Sequence, residues 1–221
     1  MRRLVSFLIV CGLSPLAGAE ASSVTLNFDS VALAPGSCTD GAGYLASFGI
    51  TFTSLSGGAV SGICNESASA SVTPSSLPNV FFAFPAVTNT DESYEFTFAT
   101  PLTSLSWIEP AINPLNALPP WNATAYNASN AVLDSVGNPS VEFPGPPQLA
   151  FSLTGPGIVT VVFKSFNSAH VTFNNPPMDD LVLTSPSTSV PEPASLTLLG
   201  LGLIGAMSRR RVGRARLDKP N

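Results

Sequence analysis

The chain has 221 residues and a formal net charge of −5, from fourteen acidic and nine basic side chains. The balance is uneven, because between residues 20 and 190 only Lys164 is basic, against twelve acids, which puts this stretch near −11. Nucleic acid and anionic membrane surfaces are thereby excluded as its partners, since phosphate binding needs clustered cations; divalent cations, or plain solubility through like-charge repulsion, suit it better.

In chain order, Arg2 and Arg3 precede a short apolar run to Leu16 and the triplet Ala17-Gly18-Ala19. Charge, short apolar core and an A-x-A site predict a signal peptide over residues 1–19, cut before Glu20. The run is too short to span a hydrocarbon core of roughly 30 Å. Cys11 follows Ile9 and Val10 inside the apolar core, not small residues, so lipidation is not expected. Two cysteines then remain, Cys38 and Cys64, and in an oxidising compartment an even pair should join.

Residues 20–184 read as one all-β body. Strand-like runs fall at 24–28, 50–53, 80–84, 94–98, 102–108, 123–127, 148–153, 158–163, 170–173 and 181–183, several of them alternating apolar with Thr, Ser, Asn or Glu. Turn-formers such as Gly57-Gly58, Pro119-Pro120, Asn138-Pro139 and Gly155-Pro156-Gly157 separate them. Many short strands at this spacing predict a β-sandwich of the jelly-roll kind. Residues 185–189 form a polar linker.

Within the body, sugar rings would need aromatic faces to stack on. Trp121, in the loop Pro119-Pro120-Trp121-Asn122, and Tyr126 are the candidates, while Trp107, flanked by Leu105 and Ile108, reads as core. Catalysis has little support. His170 is the only histidine and sits among apolar neighbours, there is no G-x-S-x-G elbow, and Glu95, Glu109 and Glu142 would need a spatial pairing that sequence does not give. The chain is not expected to be an enzyme.

Residues 190–221 form a distinct tail. Val190-Pro191-Glu192-Pro193 leads into an uncharged stretch, 194–207, and then a basic end, 208–221, with Arg209, Arg210, Arg211, Arg214 and Arg216. In lipid such a stretch can satisfy its backbone only as a helix, and the arginines hold that end on the cytoplasmic side as a basic stop. Fourteen residues reach about 21 Å, a marginal span. Residues 200–205 spell G-x-G-x-x-G, but with no strand before them this pattern serves helix packing, not a dinucleotide.

The tail resembles the PEP-CTERM sorting signal of Gram-negative bacteria in its proline-glutamate-proline triplet, short span and basic end. The resemblance implies that Pro191, Glu192 and Pro193 are recognised by exosortase, a membrane-embedded cysteine protease. It would cut near the triplet and pass the body toward the cell surface, where exopolysaccharide is a common companion. The body, with Phe28-Asp29 closing its first strand and Met178-Asp179-Asp180-Leu181 opening its last, looks like the jelly-roll bodies of such proteins, themselves similar to carbohydrate-binding modules. That implies a structural calcium ion held by Asp29, Asp179 and Asp180; the competing reading is that Asp179 and Asp180 cap a turn after Pro176-Pro177. The expected protein is an exported, non-catalytic surface or matrix protein; the alternatives are a calcium-stabilised carbohydrate-binding module and, behind it, a glycan hydrolase, which would need two of the glutamates in one cleft.

Overall fold

The computed structural model describes residues 21–69, 71–84, 91–113, 115–140, 142, 146–166 and 175–187. The residues read as signal peptide, sorting triplet, span and basic stop lie outside these, as do His170 and the strand expected at 170–173. Among the described residues no helix is long and apolar enough to cross a membrane. Ala21–Pro186 forms one compact unit. A second, Met1–Glu20 with Ser187–Asn221, lies outside the described residues apart from Ser187.

Among the described residues the first unit's strands pair antiparallel, and its one helix is a single turn. Its elements are β1 (Ser22–Leu26), β2 (Cys38–Asp40), α1 (Ala42–Ala46), β3 (Ile50–Ser56), β4 (Val60–Asn65), β5 (Val72–Thr73), β6 (Asn79–Phe84), β7 (Glu92–Glu109), β8 (Ala111–Ile112), β9 (Trp121–Tyr126), β10 (Val132–Asn138), β11 (Leu149–Ser165) and β12 (Asp179–Ser185). The largest sheet runs β1-β12-β7-β11-β9-β10, with β3 also on β7. Two small sheets, β2-β4-β6 and β5-β8, complete it.

Two strands of unusual length make this sheet a sandwich. β7 and β11 pair along most of their length, but the register slips at Thr154/Ile158 and again at Ile158/Thr160, opposite the stretch that contains Pro101. Proline donates no ladder hydrogen bond, and Gly157 takes φ +80°, which a side chain would resist. Both strands therefore bend at the same level. The first half of β7 pairs with β3 and the second half of β11, while its second half pairs with β12 and the first half of β11. The two halves face one another: Trp107, from the second half of β7, lies 5.5 Å from Phe163 and 6.2 Å from Trp121, both in the other layer.

The interior between the layers is aromatic. Phe28, Phe81, Tyr94, Phe96, Trp107, Trp121 and Phe163 are all buried, and burial of each such ring stabilises by about 1.5–3 kcal/mol. On β9 the alternation is strict, with Trp121, Ala123 and Ala125 inward and Asn122, Thr124 and Tyr126 outward. The disulfide Cys38–Cys64 joins directly opposed residues of β2 and β4. The Phe81–Met178 bridge ties β6 to the segment before β12.

Candidate functional site

Among the described residues, candidate chemistry gathers at a turn that collects acids, a cleft beside β9, and the buried end of the sandwich. At the first, β1 and β12 are neighbours, with Leu26 opposite Leu181, so Asp29, Asp179 and Asp180 come to one region. Asp179 is buried, and its carboxylate accepts from the Ser76 backbone N–H at 2.8 Å, the Ser75 hydroxyl at 2.8 Å, the Ser76 hydroxyl at 3.1 Å and the Asp180 N–H at 2.8 Å. Burial pushes its carboxyl above the usual range, and these donors pull against that. Asp180 shares the Ser75 hydroxyl at 3.0 Å.

Asp29 lies at the other end of the same turn, accepting from the Asn79 N–H at 3.1 Å. The Asn79 amide donates to the carbonyls of Phe28 and Val31, pinning the loop after β1. Phe28 (φ 61°) and Asp180 (φ 46°) both occupy the left-handed region, which a bulky residue such as Phe resists. The three acids are thus gathered around residues 75–79, Asp29 on the Asn79 N–H and Asp179 and Asp180 sharing the Ser75 hydroxyl. They do not converge as a three-ligand set, and among the described residues no group of three or more Asp, Glu, His or Cys side chains does so.

The second place corrects an expectation. Trp121 is not the exposed platform expected of a Pro-Pro loop: it opens β9, is 2% exposed, and packs edge-on against Phe151 at 4.9 Å. Tyr126, five residues on, points to the opposite face, because an odd separation along a strand reverses the side chain. The two cannot stack on one ligand. Beside Trp121 there is nonetheless a cleft of about 360 Å³, lined by Pro120, Trp121, Asn122, Ser135 to Pro139, and Phe166. Phe166 is 42% exposed and is the aromatic face that the sequence reading missed. Gly137 is obligatory in its wall, since a Cβ there would meet the Trp121 carbonyl oxygen at 2.2 Å.

The third place holds two buried glutamates. Glu92, 1% exposed, accepts a hydrogen bond from the Asn175 amide at 2.6 Å, but among the described residues its Oε1 has no partner. Burial pushes its carboxyl up to about 7, with the Asn175 hydrogen bond opposing. Glu109 is fully buried with neither oxygen partnered among the described residues; burial first, and the Glu142 charge second, push it up to about 8. Glu109 and Glu142 are thus in electrostatic contact, whereas Glu95 points away from the inward face shared by Glu92, Tyr94 and Phe96. Glu92 was not singled out from the sequence. Its one signal was a position at the head of a strand whose same-face neighbours, Tyr94, Phe96 and Phe98, are all aromatic.

Residues 189–211 match the model of the PEP-CTERM protein-sorting motif. No curated protein matches the chain. Among solved structures, the chain is similar to the K2 cleaved adhesin domain of Lys-gingipain, at 13% identity and a TM-score of 0.43, over 73% of this chain and 99% of that one. It is also similar to an arabinose-bound α-L-arabinofuranosidase, at 10% identity and a TM-score of 0.42, over 73% of this chain and 26% of that one. The K1 cleaved adhesin domain of Lys-gingipain from Porphyromonas gingivalis W83 aligns at 13% identity and a TM-score of 0.34, over 75% of this chain and 99% of that one. Likenesses at this level carry no ligand or activity across.

Proposed function

We propose, from a chain whose residues 189–211 carry a PEP-CTERM protein-sorting motif, that this is an exported, non-catalytic protein handed to exosortase and left at the cell surface or in the extracellular polysaccharide. The observation that carries the reading is the motif's place, directly after a compact β unit that ends at Pro186. In this reading the signal peptide starts export, the span 194–207 and Arg209, Arg210 and Arg211 hold the protein in the membrane, and Pro191, Glu192 and Pro193 mark where it is released. The body is a jelly roll.

The test is the mass and location of the mature protein in its own cells, with and without alanine at Pro191, Glu192 and Pro193. The wild type should lose its tail and reach the surface or medium, and the variant should keep the tail and stay with the membranes. Equal masses and equal fractionation would refute sorting.

A second reading, glycan binding, has one favourable observation: the cleft beside β9 combines the exposed Phe166 ring, two prolines and the amides of Asn122 and Asn138. Apolar faces beside neutral hydrogen-bonding groups suit a sugar ring. Affinity electrophoresis in the cells' own exopolysaccharide should retard the wild type, and Phe166→Ala should migrate as in a plain gel. Equal retardation of both would exclude this cleft.

A further inference from the structure

The tryptophan end of the sandwich gathers buried polar atoms that no group among the described residues satisfies. Glu92, Ser165 and Trp121 lie in one row across β7, β11 and β9. Trp107, packed on Trp121, brings Glu109, two residues further along the same face of β7, to this end. One oxygen of Glu92, both of Glu109, Oε2 of Glu142, the Ser165 hydroxyl and both indole N–H groups have no partner among the described residues. An ionised carboxylate is strongly disfavoured in such an interior unless a cation or several donors meet it. The only cation among the described residues is Lys164, and it is exposed.

We propose that this end is an alkali-sensitive latch, which Glu92 and Glu109 close as neutral carboxyl groups and which loosens when they lose their protons. Among the described residues, the groups that face them offer no countercharge. Glu92 meets the Tyr94 phenol on its own strand, Ser165 on β11 and the Asn175 amide from the segment before β12; Glu109 meets Glu142. The folded-state values of about 7 and about 8 agree with retained protons, against an ordinary 4.5.

The sign follows from which state holds the protons. Above about pH 4.5 the unfolded chain gives them up and the folded one keeps them, so folding weakens as pH rises. Each carboxyl lowers the folding equilibrium constant about tenfold per pH unit, and the pair about a hundredfold per unit where their windows overlap. The contribution is complete below pH 4.5, and it is lost by about pH 7 for Glu92 and by about pH 8 for Glu109. The latch concerns the folded body and is independent of how the chain is sorted.

Denaturant unfolding of the full chain between pH 5 and 9, read beside tryptophan emission, tests this. The sequence has two tryptophans and both sit at this end, so their emission reports on it. The wild-type midpoint should fall from pH 5 to about 8 and then level, with emission shifting to the red between about pH 7 and 8. Glu92→Gln and Glu109→Gln should each remove part of the slope, and the double variant most of it. A flat wild-type profile, or an undiminished slope in the double variant, overturns the proposal. Should the variants fail to fold, carboxyl carbon NMR of the wild type decides. Glutamate midpoints near 7 and 8 support the latch, and none above 5 overturns it. Calcium restoring the pH 8 midpoint in the wild type but not in Glu109→Gln would make this end a cation site and also overturn it.

Discussion

Replacement of Cys38 and Cys64 by serine removes the covalent tie between β2 and β4. β2 is three residues long, exposed throughout, and sits at the edge of its sheet, so without the bond only a short ladder and one neighbour hold it. The bridged cysteines are 26 residues apart, and the chain-entropy relation for a loop of that length gives about 3.5 kcal/mol at 25 °C. For a unit of this size that corresponds to a fall in Tm of about 7–14 °C. Calorimetry or circular dichroism on the full chain, oxidised, reduced and doubly substituted, measures it. The reduced wild type and the double serine variant should agree with each other and lie below the oxidised form. A fall under about 2 °C would mean that β2 is unformed or that the unfolded chain is already compact, and would refute the loop argument.

Other perturbations separate the roles of neighbouring residues. Gly137→Val should cost at least about 2 kcal/mol in denaturant unfolding, because a Cβ meets the backbone of the facing strand and not a yielding side chain. Trp121→Ala should cost about 3–5 kcal/mol, as a fully buried large ring, whereas outward-facing Tyr126→Ala should stay within about 0.5–1 kcal/mol of the wild type. Calcium at millimolar concentration should leave Tm unchanged in both wild type and Asp179→Asn. A rise in the wild type that the variant loses would show that Asp29, Asp179 and Asp180 bind an ion after all. Asp134, half-buried and held below the usual carboxylate range chiefly by the Thr154 backbone N–H, should stabilise the β10–β11 link above its ordinary range and lose that effect as pH falls. Asp134→Asn should flatten this acid limb.

The strands that carry strong alternation and aromatic residues could be read from the sequence. Runs such as Tyr94-Glu95-Phe96-Thr97-Phe98 bury one face and expose the other, and the pattern follows. β10 and β4 could not be read that way. β10 is an edge strand with a solvated face and a glycine required by close approach, and β4, buried along nearly all of its length, is built from Ser, Gly and Cys. α1 is a single turn, too short for any period to show. Gly155-Pro156-Gly157 reads as a turn but forms a bulge inside β11, since the long-range ladder with β7 overrides the local signal. At the candidate sites, Asp29, Asp179 and Asp180 could be brought together once the first and last strands were taken as neighbours. Trp121 was misjudged because the proline pair before it ends at the start of β9, not in an exposed loop. The acids of the sandwich end depend on a bend that places residues 92 and 109 of one strand at one level, and no local pattern announces that.

β12 inserts between β1 and β7, so an interior strand of the largest sheet is the last part of the unit to be synthesised. A chain crossing a membrane from its N-terminus would expose β1 and the second half of β7 with a gap between them until residues 179–185 had emerged. Four residues after β12 the sorting motif begins. Ladders between distant segments form slowly, because a long loop must close before any pairing is gained. On the proposed export route the body would therefore complete the β1-β12-β7 ladders only while the motif is itself at the membrane. That timing would make maturation of the sheet and release of the tail nearly concurrent events, with the open gap between β1 and β7 as the unit's most aggregation-exposed moment.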